Sequence, residues 1–509
     1  MAQQAGRDPQ VHPLFEQWVR YETRRQFFRR GTHALGMAAL ASLSGGLAGG
    51  QDDTRSSAAA RFDPQRVPGT GLVHLPHFAP KARNVIYLHM VGGPSQMDMF
   101  DYKPQMDTWY DKDLPDSIRQ GQRLTTMTSG QARFPIAPSM FKFAQHGQSG
   151  MWVTELLPWT AKLVDKMCFI RSMFTEAINH EPAITHMQTG NMVTGRPCMG
   201  AWVSYGLGSL NQNLPTFVVL VAQPTNREQF QAIAARLWSS GFLPGTHAGV
   251  SFRSVGDPIL FLNNPPGVTP DIRRTTLDGL RAMNELNYAQ LGDPQLHTRI
   301  EQYELAFRMQ ASVPDLIDCS GESESVLNLY GPEVMKPGTF ANSVLMARRM
   351  VERGVRFVQI YINNWDHHAN VAKRLPMQCQ DIDQATYGLI TDLEQRGLLD
   401  STLVLWGGEF GRTIYSQGGL SRENYGRDHH PRCFTMWMAG GGSKPGAIYG
   451  ETDDFSYNIV RDPVHVRDLH ATVMALLGID HERFSFKFQG LDQRLTGVEP
   501  ARPIRELMA

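Results

Sequence analysis

Beyond about residue 80, apolar positions gather in short, nearly unbroken runs instead of alternating with polar ones. Five runs stand out: Val85–Val91, Thr216–Ala222, Arg356–Ile362, Thr402–Trp406 and Phe434–Ala439. They are rich in β-branched and aromatic residues and bounded by Gly, Pro or Asn, the pattern of strands covered on both faces. Between them the period becomes helical. Ala341–Arg353 precedes one strand, and Asp381–Gly397 separates two others with Ile382, Leu389 and Leu393 along one stripe. Val466, Leu469, Val473 and Leu477 mark a last helix, stopped by Gly478. This alternation predicts an α/β domain with a mainly parallel sheet and helices on each side. Residues 223–330 break the rhythm with Leu243-Pro-Gly and Pro265-Pro-Gly, then a polar helical stretch whose Ile300, Tyr303 and Phe307 share a face. They are expected to form an insertion or cap.

Composition narrows the functions. Among 509 residues, Lys+Arg and Asp+Glu balance at 49 each, so no bulk attraction for nucleic acid or anionic membrane exists. The five cysteines (Cys168, Cys198, Cys319, Cys379, Cys433) are scattered without a C-x-x-C pair, against a disulfide framework or a cysteine zinc site. No run approaches the ~18 apolar residues of a membrane span. Residues 23–29 read Thr-Arg-Arg-Gln-Phe-Phe-Arg, before a short apolar run from His33 to Leu43. Paired arginines, an aromatic residue and a short apolar region in that order predict a twin-arginine export signal, hence a periplasmic or extracellular location. Residues 1–60 are read as signal and linker, and 80–500 as the folded domain.

Candidate chemistry lies where ligands bind in parallel sheets, just past the carboxyl ends of strands. Asp366, His367 and His368 follow one predicted strand, and Glu409 and Arg412 another; Asp428 and His429 precede a third, and Ser95 and Asp98 follow the first. Carboxylates and imidazoles recurring at these ends fit one or two divalent ions. Zinc suits mixed nitrogen and oxygen donors, whereas magnesium or calcium would favour oxygen. Arg412 could hold an anionic ester or pair with a carboxylate. Gly440–Gly442 lacks the Lys-Ser/Thr of a phosphate loop. Asp468 and His470 lie on the last helix, one helical face away from its apolar stripe.

From about residue 80 onward the chain resembles the DUF1501 family, a branch of the alkaline-phosphatase/sulfatase superfamily. The matching stretches are Gly92-Gly-Pro-Ser-Gln-Met-Asp98, Asn179-His-Glu-Pro-Ala183, Trp365-Asp-His-His368, Gly407-Gly-Glu-Phe-Gly-Arg-Thr413, Gly426-Arg-Asp-His-His430, Ala439-Gly-Gly-Gly442 and Asp468-Leu-His-Ala-Thr472. The resemblance implies a three-layer α/β/α sandwich carrying metal at its strand ends. It aligns Glu409 with a metal-binding Asp, Phe410 with a metal-binding His, and His429 with a later metal His. Asp366 and His368 resemble an Asp-x-x-x-His pair shortened to one intervening residue. Val91 stands where the first strand usually ends in a metal Asp, and Asp98 is the nearest substitute. Thr185 falls at the nucleophile position in one register and His180 in another, so Thr185 is a candidate nucleophile and His180 a nucleophile or extra ligand. The implied activity is an exported, metal-dependent hydrolase of small-molecule or polysaccharide phosphate or sulfate esters. The rival reading is a non-catalytic periplasmic or surface binding protein on the same fold; a cytosolic phosphomutase-like transferase fits the export signal poorly. The oligomeric state is not legible.

Overall fold

The computed structural model describes residues 71–225, 231–253, 256–259, 262–293 and 295–509. The twin-arginine stretch lies outside the described residues.

The eleven strands that matter are β1 (Asn84–Met90), β2 (Met167–Phe174), β3 (Phe217–Ala222), β4 (Val250–Phe252), β5 (Phe357–Ile362), β6 (Thr402–Gly407), β7 (Gly411–Ser416), β8 (Arg427–His430), β9 (Phe434–Ala439), β10 (Ile448–Tyr449) and β11 (Val464–His465). The helices are α1 (His180–Thr189), α2 (Met199–Leu207), α3 (Pro270–Leu291), α4 (Gln295–Ile317), α5 (Phe340–Glu352), α6 (Val371–Gln395) and α7 (Val466–Leu476). Nine strands form one sheet in the order β10-β2-β9-β6-β1-β5-β3-β4, with β11 also paired to β2. Every pairing is parallel except those of β9, which is antiparallel to both β2 and β6.

The unbroken hydrophobicity of β1 has a direct cause. Ile86, Leu88 and Met90 face a core shared with Val313 of α4, Leu345 of α5 and Leu389 of α6. Val85 and Tyr87 face the other core, with Met187 of α1, Trp202 of α2 and Val473 of α7. Successive side chains enter opposite layers, so neither set reaches water, and each fully buried aliphatic side chain contributes about 1.5–3 kcal/mol.

Three departures from the sequence reading follow from context. β2 was not anticipated, because Arg171 and Ser172 interrupt its apolar run; Ser172 is satisfied by the Asp462 carbonyl. α6 begins ten residues before the expected Asp381 and carries Pro376 inside it. The segment 407–430, read as loops, contains an antiparallel ribbon of β7 and β8. That ribbon rises from the end of β6 and turns back into β9, which is why β9 runs opposite to its neighbours. Within 223–330, α3 and α4 form a helical hairpin, and Val313 and Leu316 of α4 join the core of the sheet. Among the described residues no helix is long and apolar enough to cross a membrane.

Candidate metal centre

Four side chains meet at the carboxyl edge of the parallel strands. His180 opens α1, which follows β2; Asp366 and His368 lie on the loop after β5; and His429 sits on β8. One ligand atom from each lies within 4.8 Å of all the others.

Imidazole orientation decides what such a cluster can hold, because a ligand nitrogen must present a lone pair inward. His429 Nδ1 lies 2.8 Å from the Ile178 carbonyl oxygen and so carries the hydrogen. His368 Nδ1 lies 2.5 Å from the Gln417 amide oxygen, and His180 Nδ1 lies 2.6 Å from Glu409 Oε1. All three outer nitrogens face acceptors, which leaves each neutral ring a bare Nε2. These inner nitrogens converge on Asp366. His368 Nε2 is 2.8 Å and His429 Nε2 3.5 Å from its Oδ1, and the two nitrogens are 3.1 Å apart. His180 Nε2 lies 3.2 Å from Asp366 Oδ2 but misaligned for a hydrogen bond, so this buried atom has no hydrogen-bond partner. Phe410 forms an apolar wall with ring centroids 4.9 Å from His180 and 4.6 Å from His429.

The electrostatics follow from this packing. Burial pushes the Asp366 carboxyl up, but the Arg412 charge and the close approach of the three imidazoles hold it well below the usual range. Burial also depresses His180, yet Asp366 and Glu409 together raise it above its ordinary 6.5. His429 is brought down to about 4, chiefly by burial, with Asp366 opposing.

The other anticipated residues divide by location. Glu409 stays behind the four and braces His180, its Oε1 also accepting the Gly92 N–H at 2.9 Å. Gly92 has φ +121, and a Cβ there would lie 2.5 Å from the Asp366 backbone nitrogen, so this close approach requires glycine. Arg412 donates to the Gly92, Gly93 and Arg427 carbonyls and to Asp366 Oδ1 at 2.6 Å, so its fork is spent inside the protein. Asp98 is not gathered with the four: it is paired with Arg427 at 2.6 Å, both fully buried. Asp428 also lies apart, accepting the Thr125 and Thr128 hydroxyls and the His429 N–H. Thr185 Oγ1 donates to the Glu181 carbonyl one helical turn back. His367 is buried beside Trp365. Asp468 and His470 satisfy backbone groups, at His465 and Met187 respectively. Sequence reasoning missed Gln231, which donates to Asp366 Oδ2 at 2.6 Å, and Gln417. A lone glutamine carries no local signal of the partner that folding brings to it.

A second group, Glu176, His186 and His465, is equally tight but chemically different. His465 Nδ1 accepts the Arg467 N–H while capping α7, so its Nε2 keeps the hydrogen and donates to both Glu176 oxygens at 2.9 Å. That nitrogen has no lone pair to offer a cation.

The loop carrying His368 is held from outside by Gly426, where a Cβ would lie 1.8 Å from the His368 carbonyl oxygen. Gly426→Ala is expected to displace that loop, lower stability by roughly 1–3 kcal/mol and weaken cation retention. Chemical denaturation and metal analysis of the purified variant check both.

A family described as "Protein of unknown function (DUF1501)" matches residues 82–508. No curated protein matches the sequence. Several solved structures are similar at low identity. One is Ps i-CgsB in complex with k-i-k-neocarrahexaose, with 10% identity, 80% of this chain and 75% of that chain covered, and a TM-score of 0.35. Another is the PsFucS1 sulfatase from Pseudoalteromonas sp., with 13% identity, coverage of 81% and 71%, and a TM-score of 0.30. A third is an alkaline phosphatase from the Antarctic bacterium TAB5, with 11% identity, coverage of 78% and 98%, and a TM-score of 0.28.

Proposed function

The chain belongs to the DUF1501 family, and from that premise we propose that it is an exported, divalent-cation-dependent hydrolase of phosphate or sulfate esters. One observation carries the reading: three histidines, each with its outer nitrogen on an acceptor, turn bare Nε2 atoms onto one carboxylate. Two such nitrogens only 3.1 Å apart repel unless a proton or a cation sits between them.

The donor set fits a cation. Three nitrogens and one oxygen suit zinc or a similar borderline ion better than magnesium or calcium, and the unpartnered His180 Nε2 would gain a partner. His180, Asp366, His368 and His429 would hold it, with Glu409, Arg412, Gln417 and the Ile178 carbonyl fixing their orientation. A bound cation would polarise an ester oxygen and neutralise charge developing there. Among the described residues, no Ser, Thr or Cys side chain hydrogen-bonds to any of the four. In this reading water is the attacking group, and Phe410 screens one side of the pair His180 and His429 from solvent. The substrate is a small-molecule or polysaccharide ester met outside the cytoplasm, the latter resting on the Arg24-Arg25 signal.

The engagement of Arg412 by three carbonyls and Asp366 favours a second reading, a cation-holding binding protein without turnover, since that guanidinium is not free to clamp an ester anion. Metal analysis of protein purified without chelator, joined to a panel of phosphate and sulfate monoesters and diesters, separates the two. Bound cation and turnover lost in His368→Ala support hydrolysis. Bound cation without turnover supports the binding protein, and absence of any retained cation sinks both.

Cation affinity is expected to fall with pH, because protons compete for the same Nε2 atoms. His180, raised above 6.5, protonates at higher pH than His429, near 4, so the decline starts above 6.5. Calorimetric titration with zinc across pH checks this; a flat profile contradicts the assignment of His180.

A further inference from the structure

The hairpin helix α3 shows two stripes. One faces α4: Leu277 is buried, and Arg274 and Arg281 both bond Glu304. The other, at Ile272, Thr276, Leu280, Met283, Asn287 and Leu291, is exposed along its whole length. Its apolar members are far from covered, with Ile272 50%, Met283 61% and Leu291 74% exposed, and Leu286 on its flank at 66%. An exposed strip that is apolar at four of its six positions, Leu280 included at 38% exposure, on a helix of about 33 Å marks an interaction surface.

The order of the strip identifies its occupant. Its spacings run 4-4-3-4-4, which read the same in both directions. Two copies of α3 laid antiparallel about a two-fold axis therefore bring Ile272 against Leu291, Leu280 against Met283, and Thr276 against Asn287. The apolar positions meet apolar positions and the two polar ones meet each other. Helical spacing places Asp278 and Glu285 about half a turn away, so no like charges oppose across the seam. Gly279 beside the seam has open space around it. From this self-complementarity we infer that α3 is a homodimer interface, a second copy of this chain docking isologously along the seam. A single helix pair lies at the small end of stable interfaces, so the dimer is reversible and concentration-dependent.

Sedimentation equilibrium of the full chain tests this, alongside Met283→Glu, a change at an exposed position that leaves the core intact. The expected result is a concentration-dependent dimer whose dissociation constant rises at least about tenfold in the variant, with an unchanged circular dichroism spectrum. A second measurement reads the register. Ile272→Cys and Leu291→Cys proteins, mixed and mildly oxidised, should cross-link to each other. Either alone should not, since its two copies sit about 28 Å apart along the seam; the five native thiols are buried. A monomer at every concentration, a dimer indifferent to Met283→Glu, or equal cross-linking in the single preparations overturns the inference.

Discussion

Asp366→Ala is expected to abolish cation retention and to lower unfolding free energy by about 3–5 kcal/mol. Two separate losses combine. The carboxylate is the point on which the three inner imidazole nitrogens converge, so without it the donor set is incomplete. It is also the counter-charge of Arg412, whose side chain is 1% exposed. The three carbonyls bonded to Arg412 satisfy hydrogen-bond donors but do not neutralise a buried charge. Metal analysis and urea unfolding in the presence of chelator separate the losses. A variant that still holds its cation removes Asp366 from the centre, whatever happens to stability.

Asp98→Ala is expected to give the opposite pattern, a comparable fall of about 3–5 kcal/mol with cation content unchanged. Asp98 and Arg427 form an ion pair excluded from solvent, and alanine would strand the guanidinium. The double variant Asp98→Leu, Arg427→Met should recover only part of the loss. Arg427 also donates to the Thr413, Ile414 and Ala137 carbonyls, which methionine cannot satisfy. Burial opposes ionisation of Asp98, but Arg427 holds its carboxyl below the ordinary 3.8. The contribution is therefore complete above 3.8 and is lost as pH falls through the lower folded value. Loss of cation from the Asp98→Ala protein under native conditions would return Asp98 to the centre and refute this partition.

The contrast between these two aspartates shows where sequence reasoning stops. Both follow a predicted strand and both lie in a family-like stretch, so nothing local distinguishes them. Asp98 sits seven residues beyond Val91, far enough for the chain to carry it under the ribbon to Arg427. Asp366 sits four residues beyond Ile362, close enough to remain at the sheet edge. Glu409 differs again: two residues past β6, it reaches the centre but from behind, because His180 occupies the space in front.

Hydrophobic runs and their spacing determined the layered α/β architecture, since a residue's burial on both faces is written in its own and its neighbours' side chains. The clustering of acid and imidazole at strand ends likewise pointed to the edge of the sheet where His180, Asp366, His368 and His429 gather. Only the tertiary structure decided which of those groups meet, which are consumed by buried arginines, and which way each imidazole turns. Those outcomes depend on contacts between residues as distant as His180 and Glu409, and a ring's free nitrogen is set by the acceptor that folding delivers to the other one.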